Sequence, residues 1–75
     1  MNKRYQFFTI SETSEEAFSR PTFSVTNNSS GTQIGMIGWY PRWKQFVFFA
    51  ESNTVWSAGC LADVQGFLNA LNNPS

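Results

Sequence analysis

The run Trp43-Lys44-Gln45-Phe46-Val47-Phe48-Phe49-Ala50 limits what this chain can fold into more than any other feature. Aromatic and β-branched residues at this density read as a strand, and successive strand residues point to opposite faces. Trp43, Val47 and Phe49 then share one face, and Phe46 and Phe48 the other. A strand that is apolar on both faces is covered on both. The expectation is a strand in the middle of a covered sheet, with Phe46 to Phe49 in the core or at a dimer seam.

Its partner precedes it. Thr32 to Tyr40 reads as a strand with Ile34, Met36, Gly38 and Tyr40 on one side and Gly35, Ile37 and Trp39 on the other. Pro41-Arg42 supplies the turn, because proline presets φ at the second position of a tight turn. The two glycines imply close backbone packing or a bulge. Further upstream, residues 4–10 form a first strand and Thr22-Phe23-Ser24-Val25-Thr26 alternates as a half-buried one. Asn27-Asn28-Ser29-Ser30-Gly31 is a turn. Ser11 to Glu16 is polar and acidic with no apolar period, so it is expected as a loop or at most one helical turn that ends at Arg20-Pro21. Downstream, Glu51 to Thr54 turns, and Val55-Trp56 is a candidate short final strand.

The C-terminal segment has a different period. After Ser57, a good N-cap, Cys60, Leu61, Val64, Phe67, Leu68 and Leu71 recur at helical spacing. Asp63, Gln65, Asn69 and Asn72 take the wet side, and Asn72-Asn73-Pro74 ends the helix. Gly66 costs about 1 kcal/mol against alanine there; it sits against another backbone, or the helix tolerates the loss. The fold class is α+β: one domain over residues 1–75, an antiparallel sheet of four to five strands packed against one C-terminal helix.

One helix covers one sheet face, so the other apolar face needs a cover. Composition gives the same answer. Eight Phe, three Trp and two Tyr, each able to bury ~150–250 Å², exceed what one helix-covered face can hide. A chain of 75 residues is marginal without reinforcement. Cys60 is the only cysteine and there is no histidine, which rules out an intrachain disulfide and removes the commonest transition-metal ligand. A homodimer or higher oligomer is the remaining route. No cofactor and no metal are expected.

Charge and hydropathy narrow the function. Five cationic residues balance five anionic ones, whereas proteins that grip phosphates carry a basic excess. No apolar run reaches the ~20 residues of a membrane span. The basic start, Met1 to Arg4, leads into a segment too short and interrupted for a signal-peptide core. A cytoplasmic location is expected.

Ile37 to Phe49 follows the pattern G-W-Y-x-x-W-(K/R)-Q-(Y/F)-x-F-F, and Thr54 to Val64 then follows T-V-(F/W)-S-x-x-C-L-x-D-(I/V). In both, the chain resembles a family of short uncharacterised proteins of bacteriophages and prophages, over about residues 37–68. Many relatives have proline after the Phe-Phe pair, where this chain has Ala50. The resemblance implies a phage-type accessory protein acting in a bacterial host cytosol. It supplies no activity.

Cys60 lies in the first turn of the helix, a position that activates cysteine nucleophiles in other proteins. With no histidine as base and no second cysteine, it reads as a small member of the apolar stripe. The acidic Glu12, Glu15 and Glu16 read as a solvated segment. Trp39, Tyr40, Arg42, Trp43 and Lys44 interleave rings with cations. Such a set packs a core, forms a protein-binding hot spot, or stacks single-stranded nucleic acid. The neutral net charge puts nucleic acid last. The sequence therefore predicts a non-catalytic protein that works by protein–protein contact, possible targets being host defence or regulatory proteins. The alternative is a single-stranded nucleic-acid-binding protein with an aromatic sheet surface.

Overall fold

The computed structural model describes residues 1–74. Five strands, β1 (Lys3–Arg4), β2 (Phe8–Ala17), β3 (Arg20–Asn27), β4 (Gln33–Tyr40) and β5 (Gln45–Ala50), precede one helix, α1 (Ala58–Asn72). The strands form a single antiparallel sheet in the order β1-β2-β3-β4-β5, so every strand pairs with its neighbour in sequence. The α+β architecture expected from the sequence is the one observed.

Register decides the faces. Ile10 lies opposite Val25, and Val25 opposite Gly35. Phe23 lies opposite Ile37, and Ile37 opposite Phe48. These residues and Phe8 line the face beneath α1, where Val64 and Phe67 complete the buried core. The Phe23 and Phe67 rings meet edge to face at 5.2 Å. Cys60, Leu68 and Leu71 pack at the margin of this core, as a helical stripe should. Leu61 departs from that expectation and remains 50% exposed. Ser57 caps the helix as its sequence indicates, its side chain accepting from Cys60 N–H. Gly66 is exposed with open space around it, so the helix simply tolerates the glycine.

Three expectations are corrected. Ser11 to Glu16 is not a loop: it lies within β2, which pairs with β3 from Phe8↔Asn27 to Ala17↔Arg20 with a register shift between Glu12 and Glu16. The Thr13 and Thr22 hydroxyls hydrogen-bond across that irregularity, and Thr22 Oγ1 also donates to the Glu15 carbonyl at 3.1 Å. Backbone pairing overrides the polar composition because most of this stretch faces water. Phe18-Ser19 closes the hairpin with φ of 57° and 62°, the both-positive pattern of the turn that matches strand twist.

Second, β5 is the sheet edge and not its middle. Helix α1 covers its inner face, while on its outer face Val47 is half-buried and Phe49 is 49% exposed. Third, Val55-Trp56 forms no strand. Val55 is 97% exposed, whereas Trp56 turns inward, its ring 5.8 Å from Phe8 and 4.8 Å from Phe48.

The paired glycines of β4 have separate explanations. A register shift between Val25 and Thr26 leaves Ile34 as the extra residue of a bulge beside Gly35. The Phe48 ring lies directly over Gly35, where a Cβ would fall 2.6 Å from Phe48 Cζ. Gly38 has only ordinary contact distances around it.

Candidate functional site

In a sequential meander, alternate turns fall at the same end of the sheet. The β2–β3 turn at Phe18-Ser19 and the β4–β5 turn at residues 41–44 therefore stand side by side. This end carries Phe18 and Trp43, each 64% exposed, together with Arg20, Arg42 and Lys44, all exposed. Lys44 also holds a positive φ of 54°. Its backbone N–H donates to the Tyr40 carbonyl at 2.9 Å, which fixes the tight loop.

The five residues expected as a site do not form one surface. Trp39 and Tyr40 are strand neighbours and point to opposite faces. Trp39 is half-buried on the helix side, edge to face with Phe46 at 5.4 Å. The Arg20 guanidinium lies 3.8 Å above its ring centroid, a cation–π contact that occupies one face of the ring. Tyr40 turns to the outer side and meets Trp43 edge to face at 4.9 Å. Trp39 thus packs between Phe46 and the Arg20 guanidinium. Tyr40 and Trp43 form the exposed aromatic element, flanked by Arg42 and Lys44.

Sequence reasoning did not find Phe18 and Arg20. The signal was faint: a lone Phe before Ser in a polar stretch, with no Asn or Gly to announce a turn. Non-glycine residues held at positive φ cost on the order of 1–3 kcal/mol each and cluster where geometry serves function. Phe18, Ser19 and Lys44 are all at this end; Asn53, at the opposite end, is the other described non-glycine case.

A shallow concavity of about 400 Å³ lies between the N-terminal segment and α1, lined by Lys3, Tyr5, Asp63 and Gly66 among others. Burial, with the Asp63 carboxylate second, raises the Tyr5 phenol above its ordinary value of 10.0. Lys3 Nζ stands 5.6 Å from the Tyr5 ring centroid. Cys60 is half-buried against the core, its backbone N–H donating to Ser57 Oγ. Among the described residues no group of three or more His, Cys, Asp or Glu side chains is placed to hold a metal, and no helix is long and apolar enough to cross a membrane.

Comparison with protein-family models, with curated proteins and with solved structures returns no match.

Proposed function

We propose that the protein is a non-catalytic binding protein whose contact surface is the aromatic end of the sheet, centred on Trp43 and Phe18. The observation that carries this is their joint exposure between Arg20, Arg42 and Lys44. Trp, Tyr and Arg are the residues on which protein interfaces concentrate their binding energy, and two rigid turns present them at little entropic cost. Glu15 and Glu16 belong to the same end and dilute its positive charge, which suits a protein partner better than a phosphate backbone. The resemblance of residues 37–68 to phage proteins supports a bacterial host protein as the target, in defence or regulation, and a place in the host cytosol.

The test is capture from a bacterial lysate by the wild type, Trp43→Ala and Phe18→Ala. Both side chains are mostly solvated, so both variants should fold like the wild type. A partner held by the wild type and lost by Trp43→Ala is the expected result; equal capture by all three refutes the surface. Fluorescence anisotropy with single-stranded oligonucleotides addresses the nucleic-acid alternative, since such binding weakens steeply with salt. Phe18, Tyr40 and Trp43 are the rings at this end that could stack on bases, and Tyr40 and Trp43 already meet each other edge to face.

A further inference from the structure

The two edges of the sheet are treated differently. At one, β1 is two residues long and cationic, and Glu12 beyond it is held by the Met1 amine at 2.8 Å and by Asn2 Oδ1 at 2.9 Å on its backbone N–H. Short strands and charges are how sheets prevent unwanted pairing. At the other, β5 has six residues, Gln45 to Ala50, with no charge and no proline.

Alternation of hydrogen-bonded pairs settles which β5 groups face outward. Glu51 N–H donates to the Ile34 carbonyl, so Gly35↔Ala50, Ile37↔Phe48 and Trp39↔Phe46 are the non-hydrogen-bonded pairs. The amide and carbonyl groups of Phe46, Phe48 and Ala50 therefore point to the open edge. Asn72 of α1 takes the first set: its Oδ1 accepts from Phe46 N–H at 2.7 Å and its Nδ2 donates to the Phe46 carbonyl at 3.1 Å. Among the described residues, Phe48 and Ala50 have no such partner.

We propose that a second copy of this chain occupies the β5 edge, the two β5 strands pairing antiparallel about a two-fold axis at Phe49. This inference goes beyond the partner-binding role and does not depend on it. With the axis at Phe49, Phe48 of each copy pairs with Ala50 of the other, and each pair exchanges both hydrogen bonds. An axis at Val47 or Phe48 would instead require Phe46 to pair and would displace Asn72, while a half-step register would set the inner face of one strand against the outer face of the other.

Apolar surface agrees with the register, and charge does not oppose it: with the axis at Phe49, Lys44 falls opposite Thr54 and Glu51 opposite Val47, so like charges are kept apart. Phe49, 49% exposed, meets its own copy on the outer face. On the helix side, Leu61, 50% exposed, lines the groove between α1 and β5 with Val64 and Leu68, and the two-fold carries the second Leu61 toward it across the seam. Isologous pairing of this kind closes at two copies, whereas pairing β5 with the charged β1 edge would propagate.

Sedimentation equilibrium from micromolar to millimolar concentration tests the proposal with the wild type, Ala50→Pro and Leu61→Lys. The wild type should approach about 17 kDa, twice the 8.5 kDa of the chain. Proline at Ala50 removes an edge donor and no bond within the sheet, so that variant should stay at 8.5 kDa with an unchanged circular dichroism spectrum. A wild type that stays monomeric throughout overturns the proposal, even if it binds an extended peptide at this edge; so does a folded Ala50→Pro chain that dimerises as before. If Ala50→Pro fails to fold, Leu61→Lys decides: at least a tenfold weaker dimer is expected, and unchanged association refutes the seam. Loss of partner capture by Trp43→Ala leaves these masses unchanged, so the two proposals fail separately.

Discussion

Replacing Gly35 by alanine places a methyl group under the Phe48 ring, at 2.6 Å from Cζ and 3.1 Å from the Phe49 carbonyl oxygen. Carbon atoms settle at about 3.5–4.0 Å, so the ring must retreat by roughly 1 Å. It has little room to do so, because Trp56 meets it edge to face at 4.8 Å and itself packs on Phe8. Overpacking of this kind costs ~1–3 kcal/mol, and the lower chain entropy of alanine in a strand returns ~0.5–1 kcal/mol. The net expectation is a loss of about 1–2 kcal/mol. For a domain of this size that is a fall in Tm of roughly 5–15 °C, read by thermal denaturation followed by circular dichroism. The same exchange at Gly66, which has open space around it in α1, should instead gain about 1 kcal/mol. Phe48→Leu should shrink the penalty at Gly35, giving a coupling above ~0.5 kcal/mol in a double-mutant cycle. An unchanged or raised Tm for Gly35→Ala would show that the ring does not occupy that position.

Three other perturbations have definite outcomes. Asn72→Ala strips both hydrogen bonds from the Phe46 backbone and should cost about 1–2 kcal/mol in urea denaturation, with faster hydrogen exchange at the Phe46 amide. Ser19→Gly relieves a φ of 62° and should stabilise by about 1 kcal/mol without moving the helical signal. Tyr5 should ionise above 10.0 in an absorbance titration of tyrosinate, and Asp63→Asn should lower its midpoint. A phenol whose folded value is raised binds its proton more tightly in the folded state, so its contribution is intact below pH 10 and is lost as pH rises through the folded value.

Periodicity was enough for α1, where an apolar stripe and a serine cap agree, and for β3 and β4, where turn residues bracket alternating runs. It was not enough for the second half of β2. Thr13 to Glu16 hold their place by backbone pairing and by hydroxyl contacts with Thr22, which leave no apolar trace in composition. The apolar pattern of β5 stated that both faces want cover, but not which strand lies beside it, and the missing neighbour is what separates an edge from a centre. For the aromatic end, Trp39 and Tyr40 could be assigned to opposite faces from their adjacency alone. Phe18 and Arg20 could not be set beside Trp39 and Trp43 without knowing that both hairpins turn at the same end.

The strand order also has a consequence in time. Each strand pairs with the one made just before it, so sheet contacts span short loops and close without waiting for distant residues, a topology that folds fast. Helix α1 is the exception. Its Asn72 reaches back 26 positions to Phe46, and it is synthesised after all five strands. Until it arrives, Phe46 and Phe48 lie uncovered on a finished sheet, and the Phe46 edge groups have nothing to bind. The interval between completion of β5 and docking of α1 is therefore when the nascent chain is most open to contact with its neighbours.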